Sequence, residues 1–421
     1  RSTVADYIVH KSPYIPKPTE LPKDLSLFKY PTWTSDVIFE FEPTKNLFDE
    51  THIHNFSANL QKYKMSDKNE FLIEHYEWLD YRNNYTIDNN TFPNMSSFAD
   101  RLLAKGVQLG GLLTSPQFLT NTHKHPEYDK YLLHNKHNFS LSYFDLTKPE
   151  TAEFYKLLLS KVHNEYKINT FWLKSFTFWG AEFSDPLVSK YWSLFVTRYI
   201  ETAFKASNAT VVTEMAYKSQ HLPVFTRMIS YYTTSAKQML KHLIPSVLSI
   251  SLSGYSFIIP FPVGTFNDEF KSFNFNHLSE ELYIRMVQAT TFMPCMSFTR
   301  TPWNFTEKTV NLTKKYLNLH LEHSEVIIEL AKKRIKDGTP IIRSMWYNYP
   351  DDTHAYTIGD QFMLGENILV APVVEEKQLE RNVYFPSGKW IDQHGKSFQG
   401  PLNVKIKSPL EELPYFKLFK G

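Results

Sequence analysis

The run at residues 170–177, TFWLKSFT, places one cation in an apolar and aromatic setting. Lys174 lies two residues after Trp172 and two before Phe176. Such neighbours are unusual for a solvated lysine on an edge strand, and they favour a lysine at the mouth of a pocket. An ammonium group in a pocket needs a counter-ion, so we expect a carboxylate opposite Lys174.

Carboxylates are absent from a long stretch further on, since residues 215–267 contain neither Asp nor Glu. Chemistry that needs two acids therefore cannot draw on this interval.

His52, His54, His134 and His137 lack the cysteine or carboxylate spacing of a metal site, so we expect no metal and no other cofactor. A Ser-His-Asp arrangement stays open, although no Gly-x-Ser-x-Gly elbow occurs.

Apolar or β-branched runs alternate with amphipathic stretches along most of the chain. That order is expected for a parallel sheet with crossover helices, and the length suits a (β/α)8 TIM barrel. Beyond about residue 351 only strands and turns are indicated, which predicts a small C-terminal antiparallel β domain. We expect an N-terminal extension at 1–30, the barrel at 31–350 and the β domain at 351–421. The predicted strands of the first part are 37–41, 71–75, 107–113, 170–174, 210–215, 256–260 and 340–346, and the predicted helices are 95–105, 151–165, 190–206 and 309–337.

Composition excludes one class of partner. The 46 basic and 44 acidic residues are scattered and form no basic stripe, so we expect no nucleic-acid binding. Aromatic residues make up 16% of the chain, a surplus that fits either a dense core or a carbohydrate-binding surface. Cys295 lies in an apolar run and is expected to be a buried, inert thiol.

Several features bear on the compartment. The N-x-S/T sequons exceed what the composition gives by chance, which favours passage through the secretory route and a secreted or lumenal glycoprotein. The chain begins at Arg1 without a charged-then-apolar leader, so the numbering is expected to start inside a longer precursor. Residues 243–267 contain no charged residue, and a stretch of this length could in principle span a membrane. Pro245, Pro260 and several serines favour a buried helix followed by a buried strand instead. The sequons are at Asn55, Asn84, Asn89, Asn94, Asn138, Asn208, Asn304 and Asn311.

Three motifs carry a family resemblance. They are GTPIIRSMW at 338–346, DQFMLGENILVAPV at 360–373 and VYFPSGKW at 383–390, and together they closely resemble glycoside hydrolase family 31. The nearest likeness within the family is to its myogenesis-regulating glycosidase subgroup. The further landmarks are FPN at 92–94, YKSQ at 217–220, GYSF at 254–257 and ELYIR at 281–285.

The resemblance implies retaining α-glycosidase chemistry, which uses two carboxyl groups roughly 5–5.5 Å apart. The family nucleophile is an aspartate at the end of the fourth barrel strand, and it falls at Lys174. A nearby family glutamate falls at about Thr177. The acid/base aspartate is expected between the motifs that begin at Tyr217 and Gly254, inside the interval that has no acid.

Other site positions follow from the same resemblance. The sugar-binding aspartate after the seventh strand falls at Phe261, and the acidic pair after the second strand reads Glu74-His75. Arg227 matches an arginine that the family keeps near the site. Phe261 and Trp303 are expected to fill the pocket rather than to serve as sugar platforms. Glu74 is the first candidate for the counter-ion of Lys174.

A lysine at the nucleophile position is disabling on physical grounds. An ammonium group cannot form the glycosyl ester, and it opposes the positive charge that develops on the sugar ring. At about 4 Å and an effective dielectric constant near 20, the repulsion is about 4 kcal/mol, roughly a thousandfold in rate.

The sequence therefore supports three hypotheses. The first is a non-catalytic family homologue whose cleft binds a glycan, an anion or a protein. The second is an active retaining α-glycosidase that hydrolyses O-glycosyl compounds with relocated carboxylates, drawn from Glu74, Glu77, Asp80, Glu182 and Asp185. The third is an interaction or scaffold protein whose cleft is filled by side chains such as Phe261.

Overall fold

Eight parallel strands form the larger sheet of this computed structural model. The strand order is β7-β6-β5-β4-β3-β2-β1-β8, and a parallel bridge between Val263 and Phe298 joins the two outer edges. The predicted TIM barrel is thus confirmed. The strands are β1 (Thr32–Thr34), β2 (Asn69–Ile73), β3 (Val107–Leu113), β4 (Thr170–Leu173), β5 (Thr210–Thr213), β6 (Phe225–Arg227), β7 (Ile258–Ile259) and β8 (Ser297–Phe298).

The structure describes residues 16–39, 49–74, 78–80, 85–87, 89–113, 117–119, 126–134, 141–174, 192–214, 216–229, 235–264 and 278–420.

Amphipathic helices surround the barrel and begin at residues that satisfy free backbone N–H groups. Asn94, Ser235 and Ser279 are N-caps whose side chains accept from the backbone N–H groups of the first turn. The last helix ends at Gly338, whose φ of 81° is the left-handed conformation that favours glycine. The helices are α1 (Glu50–Tyr63), α2 (Met95–Leu103), α3 (Pro149–Tyr166), α4 (Trp192–Ala206), α5 (Ala236–Leu252), α6 (Glu280–Thr290) and α7 (Glu307–Asp337).

Short elements extend the loops after β2 and β3. Strands Leu79–Asp80 and Thr86–Ile87 form an antiparallel pair. Strand Leu141–Phe144 pairs antiparallel with both Gln117–Leu119 and Leu132–His134. These additions lie in the connections that leave the C-terminal ends of the barrel strands, where TIM barrels place their sites.

The N-terminal end of the barrel is covered by the segment before β1. Phe28 is fully buried, and its ring lies 4.9 Å from that of Phe225. The backbone N–H of Asp24 donates to Thr210 Oγ1 at 3.1 Å, and Gln108 Nε2 donates to Asp24 Oδ2 at 3.2 Å. Because Gln108 and Thr210 lie at the starts of β3 and β5, this segment closes the end opposite the strand termini.

A second sheet of six antiparallel strands follows the barrel, with the order β9-β10-β11-β14-β12-β13. Its own core contains Trp390, Phe385 and Phe416, all buried. This sheet confirms the predicted C-terminal antiparallel β domain. The strands are β9 (Ile342–Arg343), β10 (Phe362–Leu364), β11 (Ile368–Val370), β12 (Glu380–Asp392), β13 (Ser397–Lys407) and β14 (Tyr415–Leu418).

Two predicted barrel strands are wrong. Residues 36–39 form a short helix, Asp36–Phe39, because an apolar run of three residues fits a helix as well as a strand. Ile342–Arg343 pairs antiparallel with β10 of the second sheet rather than with the barrel. Strands β1, β6 and β8 were not predicted, since runs of two or three residues show no periodicity.

Among the described helices, none is both long and apolar enough to cross a membrane. The uncharged stretch is instead α5, which is followed by β7 inside the barrel.

A buried arginine connects the barrel to the second sheet. Arg285 of α6 is fully buried, and its Nη2 donates to the carbonyl oxygens of Gln378 and Ser408, both at 2.9 Å. Gln288, one turn later, donates to the hydroxyl of Tyr316 at 2.9 Å and to the carbonyl oxygen of Leu410 at 2.8 Å. Three of these bonds satisfy backbone carbonyl oxygens, and the one to Ser408 is fully buried.

Replacing this arginine is therefore expected to be costly. We expect Arg285→Leu to lower the free energy of unfolding by about 3 kcal/mol, because several buried acceptors lose their donor. Urea denaturation followed by tryptophan fluorescence measures the change. The matched control is Arg101→Leu, whose side chain is 54% exposed and which should change stability by less than about 0.5 kcal/mol. Equal midpoints for the two variants would contradict the assignment.

Candidate functional site

Four charged residues lie at the C-terminal ends of barrel strands. Glu74, Lys174 and Glu214 directly follow β2, β4 and β5, and Arg227 is the last residue of β6. Backbone hydrogen bonds continue to two of them, from the Lys174 N–H to the Leu113 carbonyl and from the Glu214 N–H to the Leu173 carbonyl, both at 3.0 Å. Their backbones are thus held by the sheet rather than by loops.

Arg227, Glu74 and Glu214 form one ion cluster, here called the mouth triad. Arg227 Nη1 donates to Glu74 Oε1 and, at 3.2 Å, to Glu214 Oε1. The arginine side chain is 1% exposed, whereas those of Glu74 and Glu214 are 13% and 9% exposed. The buried guanidinium therefore has two carboxylate partners, and the carboxylates keep a small accessible surface.

Two further contacts orient the mouth triad. The guanidinium carbon of Arg227 lies 4.9 Å from the ring centroid of Trp172, within cation–π range. The backbone N–H of Glu74 donates to Ser35 Oγ at 2.9 Å, which ties the end of β2 to the end of β1. The guanidinium of Arg227 thus contacts the Trp172 ring with its face and the carboxylates of Glu74 and Glu214 with one of its terminal nitrogens.

Among the described residues, no ion pair joins Glu74 to Lys174, and the expectation of a carboxylate opposite Lys174 stays a prediction. The carboxylate of Glu74 binds Arg227 instead, because that guanidinium is more deeply buried and has greater need of a charge partner. Lys174 is half-buried at the end of β4, consistent with a position at the barrel mouth rather than on an exposed edge.

A third carboxyl group, which is almost fully buried, lies nearer the start of β2 than the mouth triad does. Glu70 of β2 is 2% exposed, and Thr32 Oγ1 donates to its Oε2 at 3.0 Å. Burial raises the pKa of Glu70 to about 7, although the nearby side chains of Thr170, Thr32 and Trp172 lower it in part. Among the described residues, Glu70 Oε1 has no partner with good hydrogen-bond geometry.

Gly110 makes room for this group. A Cβ at Gly110 would lie 2.8 Å from Glu70 Oε1 and 3.2 Å from Trp172 Nε1. Any side chain on this part of β3 would displace the Trp172 ring on which Arg227 rests. The glycine therefore contributes to the mouth triad from one layer below.

Cys295 is also buried, and burial raises the pKa of its thiol, as expected for an inert cysteine.

The remaining predicted site residues are placed as follows. Phe261 is half-buried against the barrel core. Trp303 stacks on Tyr63 at 5.2 Å and lies beside Phe56, on the helix-facing side of the barrel. His75 and Thr177 lie outside the described residues, as do Glu77, Glu182 and Asp185.

Sequence reasoning missed Glu214. The carboxylate-free interval begins at the next residue, so the acid directly before it was not considered. The available signal was its position after the β-branched run of β5, since residues that follow parallel strands collect at one end of a barrel.

No group of three or more His, Cys, Asp or Glu side chains could hold a metal ion in the part of the chain that the structure describes.

The sequons at Asn55, Asn89, Asn94, Asn208 and Asn311 are exposed, and Asn304 is half-buried. Asn84 and Asn138 lie outside the described residues.

Two family models match the chain. The model described as "Glycosyl hydrolases family 31 TIM-barrel domain" matches residues 31–328, and "Glycosyl hydrolase family 31 C-terminal domain" matches residues 338–417.

Curated relatives extend this similarity. The chain is 26% identical to the myogenesis-regulating glycosidase of Mus musculus over 452 aligned positions, which cover 99% of this chain and 59% of the relative. It is 36% identical to the SITS-binding protein of Tetronarce californica, over 49% of this chain and 29% of that protein. The chain thus spans less than two thirds of the length of either relative.

A solved structure shows the same fold. The GH31 alpha-xylosidase from a soil metagenome, complexed with xylose, superposes with a TM-score of 0.82 at 18% identity, covering 99% of this chain and 66% of that one.

The buried carboxyl group predicts a pH-dependent stability difference. A raised pKa means that the folded state holds a proton between pH 4.5 and about 7 that the unfolded state has released, so stability falls as pH rises through this window. Glu70→Gln cannot ionise, and we expect its stability relative to the unmodified protein to rise by roughly 3 kcal/mol between pH 5 and pH 8.

Urea denaturation of both proteins at the two pH values measures this difference. Burial lowers the pKa of His320 to about 4, so His320 makes stability rise with pH, which is opposite to the effect of Glu70. Both proteins contain His320, so its contribution cancels in the comparison. Glu153→Gln, at a side chain that is 70% exposed, is the control. A Glu70→Gln effect that is the same at both pH values would show that Glu70 ionises normally.

Proposed function

Since the chain belongs to glycoside hydrolase family 31, we propose that it is a non-catalytic member that binds a glycan at the barrel mouth without hydrolysing it. The proposal is supported chiefly by the mouth triad. Hydrolysis with retention needs one carboxyl group to attack and another to donate a proton. In the triad, oxygens of both Glu74 and Glu214 accept hydrogen bonds from one buried guanidinium.

This arrangement suits binding better than turnover. Carboxylates that accept from a fixed arginine are pre-organised acceptors, and the accessible parts of Glu74 and Glu214 can accept from sugar hydroxyl groups. A proton donor to the leaving oxygen is not supplied by such a pair. Lys174, which the resemblance places at the nucleophile position, lies at the end of β4 among these groups and adds a cation where attack would occur.

One observation favours a second candidate function, an active α-glycosidase with relocated carboxylates. Oxygens of Glu74 and Glu214 bind the same nitrogen, so they lie within about 6 Å of each other, which is near the separation that retaining enzymes use. Displacement of Arg227 by a substrate would free both groups.

We also propose that the protein is a glycoprotein of the secretory route. Support comes from the five exposed sequons, which include Asn55 on α1 and Asn311 on α7, because an attached glycan must project into solvent.

Calorimetry tests the proposed binding. We expect titration with α-linked disaccharides (maltose, isomaltose and melibiose) to give a dissociation constant below about 1 mM for at least one sugar. Glu214→Gln should weaken that binding about tenfold or more, because an amide breaks the pairing with Arg227. Glu201→Gln, which alters a carboxylate that pairs with Arg198 within α4, is the matched control. Absence of heat with every sugar would favour the third hypothesis, a filled cleft that serves protein interaction.

A restored nucleophile tests the assignment of Lys174. We expect no turnover of α-glucosyl or α-galactosyl fluoride by the unmodified protein, and measurable fluoride release by Lys174→Asp. Fluoride leaves without protonation, so this substrate needs a nucleophile but no acid. Lys205→Asp, at the end of α4, is the control. Enzyme-like hydrolysis of α-glycosides by the unmodified protein, lost in Glu74→Gln or Glu214→Gln, would instead establish the second candidate.

A further inference from the structure

An apolar groove lies between α7 and the second sheet, away from the barrel mouth. Its walls are Val326 and Leu330 of α7, Leu364 and Ile368 of the sheet, and Leu418 of β14. The cavity volume is about 360 Å³, which is within the range of small-molecule sites. None of these residues belongs to a barrel strand, so the groove is separate from the mouth triad.

The wall of the groove is built into the fold. Gly365 has a φ of +61°, and a Cβ there would lie 2.8 Å from Leu330 Cδ2. Asn348 Nδ2 donates to the Gly365 carbonyl at 2.8 Å, and the backbone N–H of Leu418 donates to the Asn367 carbonyl at 2.8 Å. The turn between β10 and β11 is therefore held against α7, and the groove exists without a ligand.

Charge at the rim of the groove is positive. Lys417 and Lys420 line it and are exposed, and neither has an ion-pair partner within the described chain. The acid in the lining, Glu366, is bound by Lys333 at 2.7 Å and by Arg343 at 3.4 Å. Its negative charge is thus already matched by cations outside the groove.

His323 lines the groove and is subject to the positive charge of Lys417. Burial lowers the pKa of His323, and the charge of Lys417 lowers it further, although the hydrogen bond to the Leu319 carbonyl and the charge of Glu322 raise it in part. The groove therefore combines an apolar body, a neutral inner end and two cations at its opening.

We infer that this groove binds a medium-chain fatty carboxylate, with the alkyl chain against Val326 and Leu330 and the carboxylate at Lys417 and Lys420. The chain would remove apolar surface from water, including that of Val326, which is 41% exposed. The two ammonium groups supply charge-assisted donors to the head group.

Displacement of 11-(dansylamino)undecanoic acid from the whole chain, followed by fluorescence, tests the inference. We expect octanoate, decanoate and dodecanoate to bind with affinity rising about threefold for each added methylene. Dodecyltrimethylammonium, which has the same chain and the opposite charge, should bind at least tenfold more weakly than dodecanoate.

Two variants locate the site. Val326→Glu places a charge in the groove and should weaken dodecanoate binding at least tenfold. The double variant Lys417→Glu, Lys420→Glu should do the same and should make dodecyltrimethylammonium the better ligand. Leu402→Glu and Lys407→Glu on β13, which alter an exposed leucine and an exposed lysine elsewhere, are matched controls and should bind as the unmodified protein does.

The inference is overturned if the unmodified protein does not bind dodecanoate, if chain length has no effect, or if Val326→Glu binds normally. Thermal unfolding of each variant shows whether a lost affinity reflects a lost fold. If Val326→Glu does not fold, the double variant Lys417→Glu, Lys420→Glu decides the question, because both lysines are exposed and their replacement should leave the fold intact. Sugar titrations at the barrel mouth are independent of all these outcomes.

Discussion

The bridge from Arg227 to Glu74 and Glu214 is the interaction on which the character of this barrel depends. A guanidinium that is 1% exposed cannot be left without charge partners, so the two carboxylates at the ends of β2 and β5 are held by it. Acids that are engaged in this way are fixed in position as acceptors. Under the proposed function, the same cluster that stabilises the barrel mouth keeps its two carboxylates in the role of hydrogen-bond acceptors.

The layer beneath the mouth makes this bridge possible. Trp172 supports the guanidinium, and Gly110 leaves the space in which the indole and the carboxyl group of Glu70 meet. Barrel interiors are usually filled by branched apolar side chains. Here a buried acid with a raised pKa, Glu70, lies in the barrel beside Trp172.

The second sheet has a role of its own. Arg285 fixes it to the barrel through carbonyl oxygens, and its turn at Gly365 packs on Leu330 of α7. This packing leaves a groove with apolar walls and the two lysines Lys417 and Lys420 at its rim. The groove and the mouth triad therefore lie in different parts of the molecule and differ in chemistry.

The sequence alone determined the class of the fold and most of its long elements. Helices α2, α3, α4 and α7 and strand β3 have strong local periodicity, and the motifs at 338–390 identify the family. Short strands such as β6 and β8 carry no such signal, because two or three residues become a strand only through their neighbours. The mouth triad likewise joins residues that are 13 and 153 positions apart. The family resemblance predicts that Lys174 stands at the nucleophile position, and the sequence shows that residues 215–267 contain no acid. Only the closed barrel decided that Glu74 would bind Arg227, since charge pairing depends on burial and distance in three dimensions.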